Sequence, residues 1–444
     1  MASLLLLAAA VVAHGQAQSN TASADAGKPV VITLEDAIRL AQVSEPAYDA
    51  AAAASRSSAL DKSIARAGLL PNVAYYAQGL YTEPNGAYGE SGEGVSSQPL
   101  PKFIANNGVR EYLSQAIVNE TLGMGPVAAM HRADAAAAVA EAEQEITRRG
   151  LVAAVTGMFY SALSADHKLT VAETARQEAA DFTRLTTERE QAREAAHADV
   201  VKAELVEQQR DRDAEDAKVT AERARLELGV LLLADPRTAY TLSAPQAAAP
   251  LPSRDDVEQA AAKSNPELKS ALAVLAVSNA DVEAAWGALL PNVGLNVTYG
   301  IDANQFAANG PGDVRNLGYS ASLTVNVPVW DWLAGEHKVK QSEIRRDAAQ
   351  VALSATQRRL IAQLEEAYSD AQAARDQLAS LDLSVSTAAE SLRLTKLAYS
   401  GGDATVLEVV DAEDAYVSAE NAREDGRVRY ETARAALQTI TGTM

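Results

Sequence analysis

The chain carries two copies of one unit, so whatever fold it adopts must be built twice. Leu69-Leu70-Pro71-Asn72-Val73 recurs as Leu289-Leu290-Pro291-Asn292-Val293, 220 positions later. Asp36-Ala37 and Glu45-Pro46 meet Asp256-Val257 and Asn265-Pro266 at the same spacing. Further on, Tyr112 and Val118-Asn119 correspond to Tyr319 and Val325-Asn326 at a spacing of 207, so the first copy holds extra residues between its motifs. They fall in the Gly/Ser/Pro/Asn-rich stretch 83–107, which has loop composition. Pro236, Pro245, Pro250 and Pro252 mark a linker between the copies. The expected organisation is a signal peptide over 1–17, an N-terminal extension over 18–32, a first repeat over 33–233, a linker over 234–253 and a second repeat over 254–442.

Each copy reads as a helical segment, a strand, a polar loop, a second strand and a very long helical region. In copy two, Val293, Leu295, Val297 and Tyr299 alternate with Asn292, Gly294, Asn296 and Thr298. Tyr319, Ala321, Leu323, Val325, Val327 and Val329 alternate with Ser320, Ser322, Thr324, Asn326 and Pro328. Period two with one apolar and one small polar face predicts strands. In copy one, Val73, Tyr75, Ala77 and Tyr81 repeat the pattern, and Glu111 to Leu122 does so weakly. A half-buried sheet in a soluble protein fits any one of these strands. Four strands of about ten residues also suit a bilayer, where an open sheet edge finds no solvent and a barrel needs eight strands or more. In the second case oligomerisation is required.

Glu336 to Ser400 contains neither Gly nor Pro, and neither does Met158 to Leu228. A heptad seam runs through Leu360, Leu364, Ala367, Ala371, Ala374, Leu378, Leu381, Val385, Ala388, Leu392, Thr395 and Tyr399, which is coiled-coil spacing. Reversal is expected at Ser400-Gly401-Gly402-Asp403; the matching stretch from Arg193 to Asp199 has no glycine.

Composition excludes much else. Alanine is the largest single part of the 48% hydrophobic content, with only 3 Trp, 14 Tyr and 4 Phe, which favours close-packed helices. A net charge of −20 repels nucleic acid. With no cysteine there is no disulfide, thiolate metal site, thiol nucleophile or N-terminal lipid anchor. His131, His167, His197 and His337 read as solvated helix residues. There is no Walker loop, since Gly92-Glu93-Gly94 lacks the following helix, and no nucleophile, base and orienter set. No enzyme activity and no cofactor are expected. The apolar run from Leu4 to Ala13, followed by small residues, reads as a secretory signal, and after it no window suits a membrane-spanning helix.

The duplicated Leu-Leu-Pro-Asn-Val motif, the segment Val327-Pro328-Val329-Trp330-Asp331 before Gly335, and the run from Tyr399 to Ala412 resemble the TolC-like outer-membrane factor family. The resemblance covers nearly the whole chain after the signal. It implies an α+β membrane protein: a homotrimer whose duplicated strand hairpins make a 12-stranded β-barrel in outer-membrane lipid, continued by an α-helical periplasmic tunnel. The implied function is passive efflux of small molecules across the Gram-negative outer membrane, with a periplasmic adaptor and an inner-membrane transporter as partners. An outer-membrane component of type I protein secretion is the alternative within the class, and a periplasmic coiled-coil scaffold is the alternative outside it.

The resemblance also assigns residues. Glu408 and Asp411 match positions whose carboxylates ring the periplasmic entrance, where crowding would raise some of their pKa values. Tyr399 and Asp199 match an entrance latch between neighbouring hairpins, although its usual basic partner is here Ala404. Gly401, Gly402 and Arg193 occupy the hairpin turns at which the adaptor would dock, with Arg193 replacing the customary glycine. Trp330 and Trp332 flank a strand-to-helix junction, where interfacial aromatics are expected.

Overall fold

The computed structural model describes residues 30–81, 110–243 and 250–442. The signal peptide and the inserted loop 83–107 lie outside them. The first repeat comprises Leu34–Ser44 (α1), Pro46–Ala67 (α2), Asn72–Tyr81 (β2), Arg110–Leu122 (β3), Met124–Gln191 (α3) and His197–Leu232 (α4). The second comprises Arg254–Ser264 (α5), Pro266–Gly287 (α6), Asn292–Ala303 (β5), Leu317–Asn326 (β6), Ala334–Gly401 (α7) and Val406–Thr441 (α8). Two short strands complete the order, Val30–Ile32 (β1) and Tyr240–Leu242 (β4), paired in parallel. They lie in the stretches read as extension and linker, too short to leave a periodic signal.

Equivalent residues make equivalent boundaries. Thr33 and Ser253 cap α1 and α5, each hydroxyl accepting from the backbone N–H three residues on, Asp36 at 3.2 Å and Asp256 at 3.3 Å. Pro46 and Pro266 open α2 and α6, where a missing N–H is harmless. The Leu-Leu-Pro motif closes both helices: Leu69 and Leu70 bond back to Arg66 and Ala67, while Leu289 and Leu290 bond back to Trp286 and Gly287. Pro71 and Pro291 then cannot continue the helix, and the chain enters β2 and β5.

The four long strands form one antiparallel sheet in the order β2-β3-β5-β6. Register places Val73, Val118, Val297 and Ala321 in one row and Tyr75, Ala116, Tyr299 and Tyr319 in another. The opposite face carries Asn72, Asn119, Asn296 and Ser322 in a row, with Asn296 Nδ2 donating to Asn119 Oδ1 at 2.6 Å. A one-residue slip would exchange the faces, so alternation fixes the register. The outer edges of β2 and β6 pair with nothing among the described residues. The apolar face is bare: Val73, Tyr75, Tyr319, Leu323 and Val325 are all exposed. The expected strand from Tyr319 to Val329 ends at Asn326, because Pro328 supplies no N–H for the ladder and the chain is already turning toward α7.

The two repeats have helices of matched length, 68 residues in α3 and α7 and 36 in α4 and α8. A 68-residue helix spans roughly 100 Å, which sets the hairpin tips that far from the sheet. All twelve residues of the predicted seam in α7 are buried or half-buried. In α3, Ala128, Ala135 and Ala142 are buried at intervals of one heptad, which lets neighbouring backbones approach closely. The next heptad position is Arg149, 4% exposed, whose Nε donates to Glu145 Oε1 at 2.6 Å. Its Nη1 reaches Ser264 O and Thr439 O, and its Nη2 reaches Gly442 O, so one guanidinium serves the C-terminal ends of α5 and α8.

Candidate functional site

The far ends of the hairpins gather most of the residues singled out in the sequence. In the second hairpin, α7 stops because Gly402 adopts φ 87°, and its N–H returns to Tyr399 O at 3.1 Å. Gly401 is the last helical residue. In the first hairpin the same reversal is made by Arg193 at φ 65°, with its N–H on Glu190 O at 2.8 Å. The glycine-free turn thus keeps the backbone shape of the glycine turn and accepts the strain of a side chain in the left-handed region.

Each second helix starts in the same way. Thr405 Oγ1 accepts from Glu408 N at 3.3 Å, and the Glu408 carboxylate accepts from Thr405 N at 2.6 Å, a reciprocal capping box. Half of it survives in the first hairpin, where Asp199 Oδ2 accepts from Ala196 N at 3.3 Å. Glu408 is therefore held below the usual carboxylate range by the Thr405 backbone N–H and hydroxyl. Within one chain this is opposite to the upward shift expected of a crowded ring. Asp411, one turn further on, is exposed.

No hydrogen bond joins Tyr399 and Asp199 within the chain. Tyr399 is 5% exposed and packs with Phe182, Ala203, Val406, Val409 and Val410, so it joins the two hairpins of the chain from inside. Its ring centre lies 5.1 Å from that of Phe182, and its hydroxyl is 3.4 Å from Thr186 Oγ1. The residue that sequence reasoning missed is Arg189. Its guanidinium lies 4.8 Å from the centre of the Tyr399 ring, and Nη1 donates to Tyr399 O at 2.9 Å. A cation from α3 thereby caps the C-terminal end of α7, bridging the hairpins. A basic residue in the last turn of α3 was visible in the sequence; that it serves a different helix was not.

Further ion pairs stitch α8 to the first hairpin: Lys168 to Asp425 at 2.5 Å, His167 to Glu424 at 3.2 Å, and Arg210 to Asp414. Lys396 of α7 joins Glu178 of α3 at 2.6 Å and Glu413 of α8 at 3.1 Å. Burial pushes the carboxyl groups of Glu413 and Glu431 above the ordinary range. His131 and His197 are exposed helix residues, as read from the sequence, and His167 is half-buried; all three also face a carboxylate. His131 meets Glu283 at 2.8 Å and His197 meets Glu190 at 2.9 Å, while the Glu424 hydrogen bond raises the pKa of His167. Sequence distance hid the His131 and His167 partners.

At the other end of α7, Trp330 and Trp332 are 68% and 83% exposed and meet edge to face at 5.8 Å. Trp332 and Leu333 both have positive φ, 58° and 66°, and Asp331 Oδ2 accepts from Gly335 N at 2.6 Å, so the helix starts abruptly beneath an exposed aromatic pair.

Residues 257–443 match the outer membrane efflux protein family. Protein CyaE of Bordetella pertussis is 25% identical over 350 residues, covering 78% of this chain and 70% of that protein. The Campylobacter jejuni CmeC outer membrane channel is similar in structure, with a TM-score of 0.73 at 15% identity over 92% of this chain and 85% of its own. The outer membrane protein VceC of Vibrio cholerae gives 0.73 at 16% identity, covering 92% and 96%. The open state of the Neisseria gonorrhoeae MtrE outer membrane channel gives 0.72 at 18% identity, covering 92% and 88%. The family match thus falls on the second repeat, the first repeat reproduces its elements in the same order, and the fold of the whole chain is that of these outer membrane channels.

Proposed function

We propose that the protein is the outer-membrane exit duct of a tripartite efflux system, conducting small molecules passively from a periplasmic adaptor and an inner-membrane transporter to the outside. The observation that carries this reading is the four-stranded sheet whose two edges are unpaired among the described residues and whose apolar face is bare. Hydrocarbon tolerates neither open edges nor fewer strands than a closed barrel, and three chains with four strands each close one. The helices support the same assembly. On α4, Val201, Leu205, Val219, Leu226 and Val230 remain exposed, and on α7 so do Leu383, Leu394 and Leu397. These stripes suit contact between α4 of one chain and α7 of the next, the counterpart of the α3 and α8 contact inside the chain.

In this assembly the tips form the periplasmic mouth. Glu408 and Asp411 line it, Tyr399 clamped by Arg189 holds the hairpins together, and Asp199 secures the start of α4. Gly401, Gly402 and Arg193 present the turns to the adaptor, while Trp330 and Trp332 lie at the inner lipid boundary. The test is the mass of the purified protein in detergent together with its conductance in planar bilayers. A trimer that conducts is expected; a stable monomer in detergent-free buffer overturns the reading.

A further inference from the structure

Because α4 and α8 are both 36 residues long and start from capped N-termini, their residues can be equated one by one. Asp199 and Glu408 stand third and accept from their own N-cap backbones. Val200 and Val409 stand fourth and are buried at 4% and 0% exposure. Phase and height are thereby fixed, and the sixth residues, Lys202 and Asp411, occupy the same exposed face of the two helices. Neither has an ion-pair partner within 4.0 Å among the described residues. With the third-position carboxylates turned back onto their own helices, Lys202 and Asp411 form an equivalent pair of uncommitted charges on the two helices.

We propose that Lys202 is a selectivity determinant of the duct mouth, where it alternates with Asp411 around the opening. This rests on the trimeric duct reading, in which the two hairpins of each chain follow one another around the tunnel. The mouth is then a ring of alternating ammonium and carboxylate groups, not a ring of carboxylates. Each Asp411 is flanked by cations, so the mouth attracts a multivalent cation only weakly, and solutes that carry both signs of charge find partners for each. Neutralising Lys202 uncovers the carboxylates, and neutralising Asp411 uncovers the ammonium groups.

The experiment uses purified trimer in planar bilayers, with the reversal potential in a KCl gradient and block by hexaamminecobalt(III) from the periplasmic side as readouts. Lys202→Gln is expected to move selectivity toward cations and to lower the half-blocking concentration by about fivefold or more. Asp411→Asn is expected to shift both the other way, and the charge swap Lys202→Asp with Asp411→Lys to return both close to the wild-type values. Reversal potential and block unchanged in Lys202→Gln, alongside an effect of Asp411→Asn, overturn the proposal and leave the duct standing. A wild-type protein that neither trimerises nor conducts overturns the duct and the proposal with it. All substituted positions are exposed, and circular dichroism checks that the helices persist.

Discussion

Arg193 and Gly402 hold the same left-handed backbone position at the ends of equivalent helices, at φ 65° and 87°. One turn is relaxed and the other strained by a side chain that the left-handed region disfavours by about 1–2 kcal/mol. Arg193→Gly is therefore expected to stabilise the first hairpin by up to about 1 kcal/mol, after allowing for the greater freedom of glycine in the unfolded chain. Gly402→Ala should destabilise the second by about 1 kcal/mol. Denaturant unfolding checks both; equal and opposite responses of the two hairpins are the expected pattern.

Arg189 binds the last carbonyls of α7 and covers the Tyr399 ring. Arg189→Met keeps the length of the side chain and removes the charge, so the hairpins should part more readily and conductance in planar bilayers should rise several-fold. Tyr399→Phe removes only a long hydroxyl contact and should change stability by less than about 1 kcal/mol. Tyr399→Ala, which empties the centre of the cluster, should destabilise the protein by about 3–5 kcal/mol.

Two carboxylates, the half-buried Glu145 and the buried Glu431, give opposite pH dependences. Hydrogen bonds from Arg148 and then Arg149 bring Glu145 down to about 2 against the opposing effect of burial. Its contribution to stability is complete above the unfolded value near 4.5 and is lost as pH falls toward about 2. Burial raises Glu431, so its ionisation works against folding, and stability declines as pH climbs from about 4.5 through the raised value. Glu145→Gln should flatten the acid limb of a stability profile. Glu431→Gln should leave that limb intact and lessen the decline above it, to which the raised Glu413 also contributes, and urea titrations from pH 2 to 8 separate the two.

Glu408→Gln with Asp411→Asn is expected to abolish block of the duct by multivalent cations from the periplasmic side. Glu408→Gln alone should also weaken the start of α8, because the capping box loses its charge-assisted bonds. Unchanged block in the double variant would remove both residues from the mouth.

Much of this was legible in the sequence because it rests on local rules. The repeated Leu-Leu-Pro-Asn-Val motif carries its own helix stop and strand start, and alternation assigns each strand residue to a face. The heptad seam ending at Tyr399 gives the buried side of α7. What escaped lies between distant segments. Arg189 caps a helix 210 positions away, and His167 finds Glu424 at a separation of 257. No periodicity announces such pairs, and a short parallel ladder such as β1 with β4 is written only in the fold. Asp199 was legible as a carboxylate near a turn, but its commitment to the Ala196 N–H required the backbone to be seen.

In the proposed trimeric duct, the two bare margins of the sheet have a consequence for biogenesis. No single copy can enter lipid ahead of its fellows, since each would carry unsatisfied amides into oil. The helical shafts, by contrast, need only water around them and can join first. Delivery to the membrane is then a concerted event of three partners, and a truncated or mispaired copy should poison its neighbours instead of merely being absent.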